Sequence, residues 1–152
     1  MSSADISKIV QDLKDKPGAL LPILHGIQEV LGYVPEEAIP IIASEMNLTR
    51  AEVYGVVTFY HDFRSHPPGR HVVKVCQAES CQAAGGEALT AFAKKRLGVD
   101  FHQTTPDREC TLEPVYCLGN CALSPNVMID KEVFGRVTSE RLEDILQEAK
   151  NS

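Results

Sequence analysis

Two stretches decide the reading of this chain: His71-Val72-Val73-Lys74-Val75-Cys76-Gln77-Ala78-Glu79-Ser80-Cys81 and, after thirty-five intervening residues, Cys117-Leu118-Gly119-Asn120-Cys121. The run 71–75 is short and rich in β-branched residues, so it predicts a strand that ends at Cys76. The run 111–116 reads the same way and ends at Cys117. Each cysteine pair, Cys-x4-Cys and Cys-x3-Cys, therefore begins where a strand is expected to stop. Two such loops can converge at one end of a sheet. Gly119 lies between the second pair and permits a left-handed turn that aims backbone N–H groups inward. Gly85-Gly86 is placed to do the same after Cys81, or to open a helix.

Working outward, residues 86–97 predict a helix with Leu89, Phe92, Ala93 and Leu97 on one face. Residues 126–129 and 133–137 flank Asp130-Lys131-Glu132 and predict a hairpin. A last helix follows Thr138, with Leu142, Ile145, Leu146 and Ala149 facing the core. The order β-α-β-β-α in about eighty residues fits a small α/β sandwich of thioredoxin-like type. The first half predicts helices. Leu20, Leu24, Ile27 and Leu31 recur on one helical face, with Gly32 placed to end it. Pro35 with Glu36 and Glu37 suits a helix start, although Pro40 argues against it. Thr49-Arg50-Ala51-Glu52 is a capping-box pattern. A short amphipathic piece, residues 6–13, precedes these. Ser65-His66-Pro67-Pro68-Gly69-Arg70 is the best linker. It divides a helical docking region, 1–66, from a cysteine-bearing α/β domain, 67–152.

All five cysteines lie after residue 75. No leader of charged residues followed by an apolar stretch opens the chain. A cytoplasmic setting follows as the expectation, where thiols stay reduced and cysteines point to metal or redox chemistry. Four thiolates, Cys76, Cys81, Cys117 and Cys121, suit one [2Fe–2S] cluster, which is held by four cysteine sulfurs. Structural zinc also takes four cysteines, most often as Cys-x2-Cys pairs, so a zinc-stabilised binding module is the competing reading. A Rieske centre needs two histidines, and the five here form no Cys-x-His pair. A catalytic dithiol needs Cys-x-x-Cys, which is missing. Cys110, at the start of the second strand, reads as a buried apolar side chain before it reads as a substitute ligand.

The composition excludes other classes. The 152 residues carry a formal net charge of -6, with nine acids against five bases before residue 67 and twelve against ten after it. That balance speaks against a phosphate-backbone partner. Residues 47–60 could pass for a helix-turn-helix, but only Arg50 and Arg64 accompany them, so no nucleic acid is expected. No apolar run reaches the roughly 18–20 residues that span a bilayer, so no direct membrane insertion is expected. No phosphate-binding glycine motif is present, so no dinucleotide site is expected. Tyr54, Phe59, Tyr60 and Phe63 read as core or domain packing, and His61 and His66 as loop or surface residues.

Several motifs together carry a resemblance. They are Leu20-Leu21-Pro22-Ile23-Leu24 with Gln28, Gly32-Tyr33-Val34-Pro35, Val53-Tyr54-Gly55-Val56-Val57-Thr58-Phe59-Tyr60, Val75-Cys76 with Ser80-Cys81, and Cys117-Leu118-Gly119-Asn120-Cys121 before Pro125. Over nearly its whole length the chain resembles the thioredoxin-like [2Fe–2S] subunit found beside the flavin subunit of respiratory NADH:quinone oxidoreductase (complex I). Related subunits occur in NAD-reducing hydrogenases and in soluble molybdenum- or tungsten-dependent formate dehydrogenases. The resemblance implies an N-terminal helical bundle followed by a thioredoxin-like [2Fe–2S] ferredoxin domain, an α/β class. It implies one cluster on Cys76, Cys81, Cys117 and Cys121, and no catalytic residue. It also implies a partner subunit that holds FMN and NAD, and a further catalytic subunit. Arg64-Ser65-His66-Pro67-Pro68-Gly69, Glu109-Cys110 and Tyr116-Cys117-Leu118-Gly119-Asn120-Cys121 look most like the gamma subunit of NAD-dependent formate dehydrogenase. Cys110 departs from many complex I members. A free-standing ferredoxin would need only the cluster domain, so the helical extension favours a subunit of a larger complex.

Overall fold

The computed structural model describes residues 3–152, with side chains from residue 5 onward. Met1 and Ser2, part of the stretch read for a leader, lie outside the described residues. The chain divides into two compact units, Met1–Pro67 and Pro68–Ser152.

The first unit is helical: α1 (Ser3–Leu13), α2 (Leu20–Leu31), α3 (Ala38–Met46) and α4 (Arg50–Phe59). One core joins them, with Val10, Ile23, Leu24, Ile27, Ile42 and Val53 withdrawn from solvent. The stripe on α2 buries Leu24 and Ile27 fully, while Leu20 and Leu31 sit at its edge. Gly32 ends α2 at φ +83°, its N–H donating to the Gln28 carbonyl. That helix also anchors the segment after α4. The Gln28 amide donates to the Asp62 carbonyl at 2.6 Å and accepts from the Arg64 N–H at 2.8 Å.

Helix α3 begins three residues later than Pro35. Ala38 N–H donates to the Pro35 carbonyl and Ile39 N–H to that of Glu36, which makes a turn leading into the helix. Pro40 is then the third residue of α3, where a missing N–H costs no intrahelical bond. Thr49 closes the capping box with Glu52. The aromatic residues of the α4 region divide. Phe63 is buried, but Tyr54, Phe59 and Tyr60 are exposed, at 58%, 74% and 43%, so they are not core packing. The 3.6-residue period turns Val53 and Val57 inward and those side chains outward.

The second unit is a five-stranded sheet in the order β2-β3-β1-β4-β5, with β1 (His71–Cys76), β2 (Gln103–Thr104), β3 (Cys110–Val115), β4 (Val127–Ile129) and β5 (Glu132–Phe134). β1 and β3 are parallel neighbours, and every other pairing is antiparallel. Two long helices, α6 (Gly86–Leu97) and α7 (Ser139–Asn151), pack with the sheet around Val73, Val75, Leu89, Ala93, Leu112, Val127, Leu142 and Leu146. α6 and α7 are pinned to each other by a two-bond fork. Arg96 Nη2 donates to Glu143 Oε1 at 2.7 Å and Arg96 Nε to Glu143 Oε2.

The hairpin is shorter than its sequence pattern, since β5 stops at Phe134 and the turn is Asp130-Lys131. Three small elements were not foreseen: β2, the one-turn helix α5 (Glu79–Ala83), and a 3₁₀ turn, Cys121–Leu123.

Candidate metal centre

The parallel register places Cys76 opposite Val115, so the C-terminal ends of β1 and β3 lie side by side. Cys76 ends β1, and the loop carrying Cys117 starts one residue beyond its neighbour's last position. Cys81 sits in α5, directly after β1, and Cys121 opens the 3₁₀ turn. The topology thus brings all four cysteines to one end of the sheet. They stand as two pairs. Cys117 Sγ and Cys121 Sγ are 3.6 Å apart, and the thiols of Cys76 and Cys81 lie close enough to perturb each other. Cys121 also lies within electrostatic reach of Cys76 and Cys81. Among the described residues, no three His, Cys, Asp or Glu side chains gather around a single-ion position.

Cys110 is not part of this site. It is buried at the opposite end of β3, packed in the core. A six-residue strand at about 3.3 Å per residue keeps it well away. Burial pushes its thiol up from the ordinary value, as suits an inert core cysteine.

The sulfurs are surrounded by donors. Backbone N–H groups of Ala78 and Cys117 face Cys76 Sγ. Gly119 N–H donates to Cys117 Sγ at 3.3 Å. Cys81 Sγ receives the Asn126 amide at 3.5 Å, the Asn126 backbone N–H, and contact from Ser124 Oγ at 3.4 Å. Burial works to raise the Cys81 thiol, but the bonds from Ser124, Cys76 and Asn126 outweigh it and hold it below the ordinary thiol value. Burial dominates at Cys76 and raises it. Cys121 is pushed up first by its bond with Cys117 and then by the charge that neighbour would carry.

The loop conformation is specific. Cys117 itself has φ +108°, a region L-residues rarely adopt, and Gly119 has φ +73°. Gly86 opens α6 in close contact with α5: a Cβ there would stand 2.7 Å from the Cys81 carbonyl oxygen. Gly85, at φ +99°, precedes α6 and opens that helix.

This donor set fits an iron–sulfur cluster. Two thiolates bonded to one tetrahedral metal at about 2.3 Å stand about 3.7 Å apart, close to the Cys117–Cys121 separation. Neighbouring thiolates repel and resist ionising together unless a cation lies between them. N–H groups aimed at sulfur offset the negative charge of a thiolate-bound cluster.

Sequence reasoning missed Ser80, Asn120, Ser124 and Asn126. Asn126 is 1% exposed; its amide donates to the Asn120 carbonyl at 2.8 Å, and Asn120 Nδ2 donates to Asn126 Oδ1 at 2.9 Å. The available signal was the polar Ser124 and Asn126 between the fourth cysteine and an apolar strand.

Comparison with known proteins agrees with this geometry. The chain is 35% identical over 144 residues to the NADP-reducing hydrogenase subunit HndA of Solidesulfovibrio fructosivorans, covering 95% of this chain and 84% of that one. It is 34% identical to a subunit of the NADH-quinone oxidoreductase of Escherichia coli (strain K12), covering 99% of this chain and 92% of that one. A crystal structure of NAD+-reducing [NiFe]-hydrogenase in the H2-reduced state shares the fold, with a TM-score of 0.74 at 21% identity over 88% of this chain; the chain spans 22% of that longer one. The family model described as thioredoxin-like [2Fe-2S] ferredoxin matches residues 6–150. The chain belongs to the thioredoxin-like [2Fe–2S] ferredoxin family, whose cofactor is one [2Fe–2S] cluster.

Proposed function

We propose that Cys76, Cys81, Cys117 and Cys121 hold the cluster, and that the chain is a non-catalytic electron-transfer subunit of a multisubunit NAD-linked oxidoreductase. The observation that carries this is the gathering of two cysteine pairs at the ends of β1 and β3 under a layer of N–H and O–H donors. The group supplies one-electron chemistry when bound. This chain's own residues hold it, shield one side and leave the other open. Cys76 and Cys81 are buried, whereas Cys117 and Cys121 are exposed.

The open side has apolar neighbours, Tyr116 at 75% and Leu123 at 40% exposure, which suits a protein partner. The partner of this reading binds flavin and NAD, because hydride arrives as two electrons and a flavin can release them singly. A further catalytic subunit completes the complex. Relatives from a hydrogenase and from NADH-quinone oxidoreductase support this class. The finer reading, the gamma subunit of NAD-dependent formate dehydrogenase, rests on the resemblance of residues 64–69, 109–110 and 116–121. Residues 1–66 serve as the docking region, with the exposed Tyr54, Phe59 and Tyr60 available for contact, and residues 67–152 form the cluster domain. No helix among the described residues is long and apolar enough to cross a membrane; a cytoplasmic location belongs to the same proposal, on the ground of reduced thiols.

Reconstitution tests it. NADH should reduce the chain only when its flavoprotein subunit is added, and Phe59→Asp should weaken that subunit's binding. Rapid NADH oxidation by the isolated chain would refute the division of labour.

A further inference from the structure

We propose that Ser124, backed by Ser80, is a switchable hydrogen-bond donor to Cys81 that helps set the reduction potential of the cluster; this rests on Cys81 being a ligand. Four contacts define the device. Ser124 Oγ is 2.9 Å from the Cys121 carbonyl oxygen and 3.4 Å from Cys81 Sγ. Ser80 Oγ is 3.1 Å from that same carbonyl oxygen and 3.0 Å from Ser124 Oγ. Ser80 stands in α5 beside Cys81, and Ser124 directly follows the 3₁₀ turn that begins at Cys121. The two hydroxyls therefore join the two cysteine segments.

Proton counting gives the behaviour. Each hydroxyl has one proton to donate. The Cys121 oxygen has two lone pairs and can take both. In that arrangement no Ser124 proton reaches sulfur. In the other, Ser124 turns its O–H to Cys81 Sγ, and Ser80 Oγ with the Ser124 backbone N–H keeps the carbonyl satisfied. The turn breaks one hydrogen bond and makes one, and no proton leaves oxygen. A hydrogen bond to a charged acceptor is roughly twice as strong as a neutral one. Added negative charge at the sulfurs therefore draws the Ser124 proton to Cys81. Ser80 makes the turn cheaper, because with it the Cys121 oxygen keeps a hydroxyl donor beside the longer bond from the Ser124 backbone N–H at 3.3 Å.

The test is a mediated potentiometric titration of the whole chain with dithionite as reductant, with iron and acid-labile sulfide counted for each variant. Ser124→Ala should keep two irons and two sulfides yet become about tenfold harder to reduce, a shift of about 59 mV to more negative potential for one electron. Ser124→Thr should restore the wild-type value, since it keeps the hydroxyl. Ser80→Ala should shift the potential in the same direction by less. Pulsed EPR of the reduced chain in D2O should show an exchangeable deuteron coupling that Ser124→Ala lacks. A wild-type chain with no iron and sulfide would overturn the ligand assignment itself. A fully loaded Ser124→Ala with unmoved potential, or a threonine variant shifted as far as the alanine one, would overturn this proposal alone. If Ser124→Ala fails to hold a cluster, Ser80→Ala with a wild-type potential would overturn it.

Discussion

Asn126 donates its side-chain amide toward Cys81 Sγ at 3.5 Å from a position 1% exposed. The same amide group joins Asn120, which lies between Cys117 and Cys121, through reciprocal bonds of 2.8 and 2.9 Å. One buried side chain thus ties a sulfur of the first pair to the loop of the second. Asn126→Leu removes these bonds and leaves the Asn120 carbonyl and amide without them. It should destabilise the second unit by about 1–3 kcal/mol. It should also make the cluster harder to reduce, because a donor to sulfur stabilises the more negative state. Denaturant unfolding and potentiometry check both; an unchanged midpoint and potential would show the network to be idle.

Cys110→Ser should leave iron and sulfide content untouched. It should lower stability by about 1–3 kcal/mol, because a hydroxyl replaces a weakly polar thiol in an apolar core. Loss of cluster in this variant would reopen the ligand assignment.

The fork between Arg96 and Glu143 should make stability depend on acid. Arg96, then Gln147, hold the Glu143 carboxyl down to about 2, from an ordinary 4.5. A carboxylate depressed by folding stabilises above its unfolded value and loses that contribution as pH falls through the folded one. The gap in unfolding midpoint between wild type and Glu143→Gln should therefore be full above about pH 4.5 and close as pH approaches 2. Salt should narrow the gap at neutral pH, since the pair is near the surface. A gap independent of pH would contradict the role given to the fork.

Thr49→Ala should cost about 1 kcal/mol, because Thr49 and Glu52 cap each other at the start of α4. Glu52→Gln should cost less, since its amide oxygen can still accept from the Thr49 N–H. Equal unfolding curves for wild type and Thr49→Ala would show that the cap contributes nothing.

Much of this was readable from particular residues. Val72 to Val75 could only be a strand, and Gly32 and Thr49 marked helix ends because their chemistry is local. Cys110 reads correctly as core, since a lone cysteine with no nearby partner motif has little else to do. The gaps have physical causes. α5 is one turn, too short to show periodicity, and β2 is two residues whose pairing is fixed by β3 alone. Ser124 and Asn126 meet Cys81 across 43 and 45 residues, so their roles come from the closed fold. Tyr54, Phe59 and Tyr60 looked like packing by composition, but the helix turns them to solvent.

The most direct measurement is a count of iron, acid-labile sulfide and zinc in the purified chain, beside four single cysteine variants. The account predicts two irons and two sulfides per wild-type chain, with the cluster lost or disturbed in Cys76→Ser, Cys81→Ser, Cys117→Ser and Cys121→Ser. One zinc and no sulfide in the wild-type chain, or an undisturbed cluster in any of those four variants, would contradict it.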